Sequence, residues 1–181
     1  MKVDLSKFDN SFYNPGSGFK KATWYFINLL FFKTGLFPFY SLKTLLLKMF
    51  GAEIGTGVII KPNVNIKYPW LLKIGNHCWI GENVWIDNLA RVEIGSNVCI
   101  SQGAMLLCGN HNYSKPNFDL MVNPIILEDG CWVGAKSIVC GGAILGNHSV
   151  LSVLSVAVNS LESYGIYKGN PAVKIKTRII Q

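Results

Sequence analysis

Residues 74–87 read Ile74-Gly75-Asn76-His77-Cys78-Trp79-Ile80-Gly81-Glu82-Asn83-Val84-Trp85-Ile86-Asp87, with isoleucine returning at every sixth position. The beat extends both ways: Ile54, Ile60 and Ile66 precede it, and Ile94, Ile100, Leu106, then Leu127, Val133, Val139, then Leu145, Leu151, Ala157 follow. A helix repeats apolar residues every three or four positions and a half-buried strand every two, so neither explains a period of six. That period predicts a mainly β fold, a parallel β-helix of about five coils in which each hexad is a short strand plus a turn. A sandwich of short strands would space its turns irregularly, at roughly eight to twelve residues. The fourth residue after each aliphatic one is mostly small or β-branched (Val64, Cys78, Val84, Ala104, Ser137, Ser149), which suits the interior of a narrow triangular prism. Gly55, Gly75, Gly81, Gly95, Gly134 and Gly146 directly follow the aliphatic residue, where the chain is expected to bend and a Cβ would obstruct.

The 181-residue chain is long enough for one main domain, and 50% hydrophobic against 15% charged residues is the balance of a globular protein rather than a disordered one. Three regions are expected: an N-terminal lead-in and helical cap over 1–53, the coils over 54–160 with a loop at 107–126, and a basic tail over 161–181. A formal charge of +7 favours anionic partners. Nucleic acid is not expected among them, because no basic, aromatic-interleaved module is present. The five cysteines (Cys78, Cys99, Cys108, Cys131, Cys140) form no CxxC pair and no secretory signal precedes them, so they read as reduced thiols of a cytoplasmic protein.

Residues 20–33 and the segment after Pro38 are rich in aromatic and aliphatic residues and predict two short helices. The uncharged run from Ala22 to Phe32 is shorter than the roughly 20 residues a bilayer span needs. The two helices are expected to cap the open first coil, since an uncovered edge is a pairing hazard. Peripheral contact with the inner face of a membrane is the second use open to them. The hexads gain two residues around Leu72-Lys73 and around Val92-Glu93, and they stop altogether between Leu106 and Leu127. A projecting loop of that length in a compact domain is often functional.

His77 and His148 take the same hexad position three coils apart, about 14 Å at ~4.8 Å per strand, too far for one metal to bridge. No metal site is expected. His111 instead sits in the long loop, within Gly109-Asn110-His111-Asn112-Tyr113-Ser114, and an imidazole is the usual general base near neutral pH.

The hexad array, that loop motif, the segment Ile126-Leu127-Glu128-Asp129-Gly130-Cys131-Trp132-Val133-Gly134 and the terminal Gly169-Asn170-Pro171-Ala172 together resemble the left-handed β-helix, hexapeptide-repeat O-acetyltransferases. Within them, Ile66-Lys67-Tyr68-Pro69-Trp70 and Ser101-Gln102-Gly103-Ala104 are similar to the WcaF-like enzymes of colanic acid and exopolysaccharide biosynthesis. The resemblance spans about residues 12–178. It implies a left-handed coil, a homotrimer with sites at subunit boundaries, acetyl-CoA as donor, a sugar or glycan acceptor, and His111 as the catalytic base without an acyl-enzyme. It also implies CoA contacts at Trp132, Ala135, Val153, Val158 and Asn159, with Lys174 and Lys176 near the phosphates. Positions that hold the sugar in galactoside-type relatives are Lys67, Gly81 and Leu89 here, so a different acceptor is expected. Asp87 and Asn88, with Asn110 and Tyr113 beside His111, are the candidates for acceptor contacts. Two rival readings remain open, N-acetyl or other acyl transfer to an amino sugar and a non-catalytic β-helix scaffold.

Overall fold

The computed structural model describes residues 2–181. The hexads wind into a left-handed parallel β-helix of triangular section. On its first face Glu53–Ile54, Leu72–Ile74, Val92–Ile94, Ile125–Leu127 and Ile144–Leu145 stack in register. The second face carries Ile59–Ile60, Trp79–Ile80, Cys99–Ile100, Trp132–Val133, Val150–Leu151 and Gly165–Gly169, and the third Asn65–Ile66, Trp85–Asp87, Met105–Leu107, Ile138–Cys140 and Val156–Ala157. Five full coils are therefore followed by part of a sixth, which a bridge between Leu145 and Leu161 begins on the first face. Ala172–Thr177 then folds back antiparallel on Gly165–Gly169, so the basic C-terminal segment is a paired strand rather than a loose tail.

Two residues of each hexad point inward. The aliphatic column is buried from Ile54 to Ala157, and between its members sit Val64, Cys78, Val84, Ala104, Cys131, Ser137, Ser149 and Ser155, all at most 2% exposed apart from Ile54 at 9%. The inward polar groups find partners on the backbone: Ser137 Oγ donates to the Ser152 carbonyl at 2.6 Å and Cys131 Sγ to that of Gly146 at 3.1 Å. All five cysteines are free, and burial raises each thiol above its ordinary pKa.

The bend falls elsewhere than expected. The residue in the left-handed region is the third after the aliphatic one, at Asn63, His77, Asn83, Asn97, Lys136, His148 and Leu154 with φ between 55° and 58°. The glycines next to the aliphatic column have a different reason, close approach between coils: a Cβ on Gly75 would lie 2.7 Å from the Gly95 carbonyl carbon, and one on Gly134 2.6 Å from the Val153 nitrogen. The two extra residues per turn are also displaced. Leu72-Lys73 and Val92-Glu93 are paired in strands, and the surplus is taken up in the preceding corners, at the 3-10 turn Pro69–Leu71 and at residues 88–91.

The helices α1 (Gly18–Ile27, continued by a π turn over Asn28–Phe32) and α2 (Tyr40–Met49) lie under the first coil. Trp24, Phe32 and Leu47 join the core. Carbonyls of that coil point out of the open end of the prism and would be orphaned. Trp24 Nε1 donates to the Ile66 carbonyl at 2.8 Å, and the fully buried Lys43 ammonium donates to the Lys61 carbonyl at 3.0 Å. No helix among the described residues is long and apolar enough to cross a membrane.

Candidate active site

The break in the beat is a β-hairpin, not an open loop. Gly109–His111 pairs antiparallel with Leu120–Val122, setting His111 opposite Leu120 at the corner between the third and first faces. The ring of His111 stacks on Phe118 with centroids 4.4 Å apart and planes 10° from parallel. Its Nδ1 lies 3.0 Å from the Phe118 carbonyl oxygen. A carbonyl can only accept, so Nδ1 is a protonated nitrogen, and of the two neutral tautomers this contact selects the one whose lone pair is on Nε2. Phe118 has φ 53°, a left-handed conformation that a bulky residue rarely takes, and it aims both ring and carbonyl at His111. The turn is braced by an ion pair of Lys115 with Asp119 at 3.2 Å and by a bond from the Asn112 amide to the Asp119 carbonyl at 2.8 Å.

The lead-in wraps this corner. The Asp4 amide donates to the Pro116 carbonyl at 2.8 Å, the Phe8 ring lies 5.8 Å from that of His111, and the Tyr13 hydroxyl donates to the Leu89 carbonyl at 2.6 Å. Burial, with Tyr68 and Asp87 nearby, holds the Tyr13 phenol protonated far above its ordinary range. Phe8, Asn10, Tyr13, Lys67, Tyr68 and Leu120 line a cleft of about 410 Å³ beside His111.

The expected acceptor residues divide. Asp87 ends a third-face strand with its side chain 14% exposed; Lys67 Nζ lies 3.0 Å from Oδ1, yet off the hydrogen-bonding direction, so that buried oxygen has a counter-charge and no hydrogen bond. Asn88 is fully buried, and its amide donates to the Tyr68 carbonyl at 2.6 Å and accepts from the Tyr68 amide at 3.0 Å. Clamped in this way, Asn88 holds the 68–71 corner and has nothing left to offer a sugar. Asn110 accepts from the His111 amide at 2.8 Å, and Tyr113 stands at the hairpin tip, 80% exposed.

Trp132, Ala135 and Val153 do converge, but at another corner, where the second and third faces meet. They line a groove of about 410 Å³ with Ser101, Gln102 and Ser152, and the Trp132 indole is fixed by donating to Ser101 Oγ at 2.9 Å. A further groove of about 260 Å³, with Lys61, Trp79 and Cys99, continues from it past Ser101 and Gln102. Val158 and Asn159 follow the last third-face strand and so sit over the His111 corner, away from Trp132. Lys174 pairs with Glu162 at 2.6 Å, and Lys176 is exposed on the closing strand opposite Ile166.

The chain thus carries an oriented imidazole at one corner and an aromatic, apolar groove at the next, a full side of the prism away. Six residues separate corners, at most about 20 Å of extended chain. Phe118, which orients the base, and Lys21 and Lys33, described below, were not among the residues expected from sequence. The bulky residue two positions after Pro116 carried no sign of a left-handed turn.

No family model matches the chain. A putative colanic acid biosynthesis acetyltransferase, WcaF, of Escherichia coli K12 is 32% identical over 167 residues, covering 92% of each chain. Among solved structures, a hexapeptide-repeat acetyltransferase of Vibrio cholerae complexed with acetyl coenzyme A superposes with a TM-score of 0.81 at 18% identity, over 92% of this chain and 93% of that one. A maltose O-acetyltransferase of Clostridium difficile 630 gives a TM-score of 0.75 at 19% identity, over 89% and 87%. The solved structures, at under 20% identity, share the fold over most of the chain. The likeness to WcaF is 32% identical over 92% of both chains, and the chain belongs to the WcaF-like group of hexapeptide-repeat acetyltransferases.

Proposed function

We propose that the protein moves an acetyl group from acetyl-CoA to a sugar hydroxyl of an exopolysaccharide precursor, with His111 as general base, in a trimer whose sites each draw on two chains. The observation that carries this reading is the Nδ1 contact of His111 with the Phe118 carbonyl, which in the neutral ring places the proton on Nδ1 and the lone pair on Nε2. In the reaction the acceptor O–H proton passes to Nε2 as the oxygen bonds to the thioester carbonyl carbon. The tetrahedral intermediate then collapses, the C–S bond breaks, and the imidazolium returns the proton to the departing thiolate. No acyl-enzyme forms. The pantetheine arm is assigned to the groove at Trp132, Ala135 and Val153 of a neighbouring chain, because one chain holds that groove and His111 at different corners. A closed ring of three identical contacts brings each groove to a neighbour's hairpin. Val158 and Asn159, above the His111 corner, then face the donor from the base's side.

The names of the relatives, colanic acid biosynthesis and maltose O-acetylation, support a saccharide hydroxyl as acceptor. Since acetyl-CoA is held in the cytoplasm, the reading places the protein there. The helices and the turn between them point Phe26, Leu30, Leu36, Phe39 and Met49 outward, each more than half exposed, with Lys48 beside them, a combination suited to peripheral contact with an anionic lipid face. Replacing His111 with Ala tests the mechanism: kcat falls by about 10²- to 10⁴-fold with the KM for acetyl-CoA unchanged. Turnover close to the parent's, measured by thiol release, overturns it.

A further inference from the structure

The third face and the helical cap enclose a second cavity of about 360 Å³, walled by Tyr25, Tyr68 and Trp85 and bearing Lys21, Lys33 and Lys67. It is not separate from the cleft beside His111. Lys21, Lys67 and Tyr68 line both, so the two adjoin along these side chains between α1 and the hairpin. At about 360 Å³ the inner cavity alone is large enough for a small ligand.

Its charge is unbalanced. Asp87 is the only carboxylate on the wall, and Lys67 pairs with it at 3.0 Å. None of the ion pairs formed among the described residues involves Lys21 or Lys33. Two cations are therefore left facing a cavity whose wall is otherwise mostly aromatic rings and the amide pair of Asn28 with Asn65, bonded at 2.7 Å. Aromatic walls suit the faces of a sugar ring, and lysines without carboxylate partners suit phosphate oxygens.

Building on the acetyltransfer reading, we propose that the acceptor is a phosphorylated sugar, bound with its phosphate or diphosphate on Lys21 and Lys33 and its sugar ring along Tyr68 towards Asp87 and His111. The exposed part of the Asp87 carboxylate, whose side chain is 14% exposed, then takes an acceptor hydroxyl. The phosphate could come from a nucleotide carrier or a lipid carrier, and the chemistry at the lysines is the same for both. The acceptor's charged end lies under the helices and its reacting end at the hairpin, so the hydroxyl acetylated is remote from the phosphate.

The test does not require acetyl transfer. Inorganic pyrophosphate is titrated by calorimetry into the protein saturated with CoA, which occupies the donor's own phosphate contacts. One pyrophosphate binds per chain, and the double variant Lys21→Gln/Lys33→Gln, checked for an unchanged melting temperature, binds at least tenfold more weakly. Lys174→Gln/Lys176→Gln, on the opposite end of the coil, binds as the parent does. Uridine diphosphate and geranyl diphosphate titrated in parallel identify the carrier, the tighter of the two naming it. Absence of pyrophosphate binding, or binding indifferent to Lys21 and Lys33, overturns the proposal. Turnover lost in His111→Ala with pyrophosphate binding intact separates the base from this subsite, and a parent with no acetyl transfer that still binds pyrophosphate through Lys21 and Lys33 refutes the catalytic reading alone.

Discussion

The groove at Trp132 and the hairpin at His111 are built in opposite ways. The groove is made by the repeat: Trp132 is the outward residue of an ordinary hexad, directly before the inward Val133, and its neighbours across the ladder are Cys99 and Val150. The hairpin is made by interrupting the repeat, and every contact that orients His111 comes from outside the coils, from Phe118 within the hairpin and Phe8 in the lead-in. A regular surface can hold an extended, repetitive ligand arm, whereas one directed lone pair needs an irregular segment to aim it. The division predicts that changes at the hairpin act on kcat and changes in the groove act on KM for the donor.

With His111 as the proposed base, His111→Ala has the largest effect expected, the 10²- to 10⁴-fold fall in kcat. Trp132→Ala sharpens the contrast: the KM for acetyl-CoA rises about tenfold, equivalent to about 1.4 kcal/mol, while kcat at saturating donor stays within a factor of about three. A kcat loss of the size seen for His111 would erase the distinction between the two corners. Away from both, Leu30→Glu/Phe39→Glu reduces co-sedimentation with vesicles rich in anionic lipid at low salt and leaves turnover on a soluble acceptor unchanged. Unaltered co-sedimentation would remove the helices from any membrane role. A last expectation concerns stability rather than turnover, at Cys108 at the base of the hairpin, whose thiol burial pushes up to about 11. Its proton is retained in the fold and lost first in the unfolded chain, so its contribution is complete below pH 9 and is lost as the pH rises to 11, about 2–3 kcal/mol in all. Cys108→Ala therefore flattens the fall in melting temperature over that range.

Much of the body was legible because the inward positions answer to one rule, a narrow interior that admits aliphatic and small residues alternately, and residues 54–157 follow it without exception at the aliphatic column. The bend position was less legible: Asn, His, Lys and Leu all occupy the left-handed third position, so residue type did not reveal it. At the site, His111 stood out by lying in the break. Asn88 looked like a surface turn residue in Asp87-Asn88 and is a buried clamp, since the backbone it satisfies, at Tyr68, is distant in sequence. The separation of Trp132 from Val158 and Asn159 follows from counting hexads around the prism, because Val133 falls on the second face and Ala157 on the third.

The shared site is the claim on which the rest depends, and mixing two inactive chains tests it most directly. His111→Ala keeps the groove and lacks the base; Val153→Trp fills the groove and keeps the base. Co-refolded in equal amounts, they form mixed trimers in which a groove from one chain meets a hairpin from the other, and activity returns to about a quarter of the parent's. A mixture no more active than its two components would show that base and groove serve each other within a single chain.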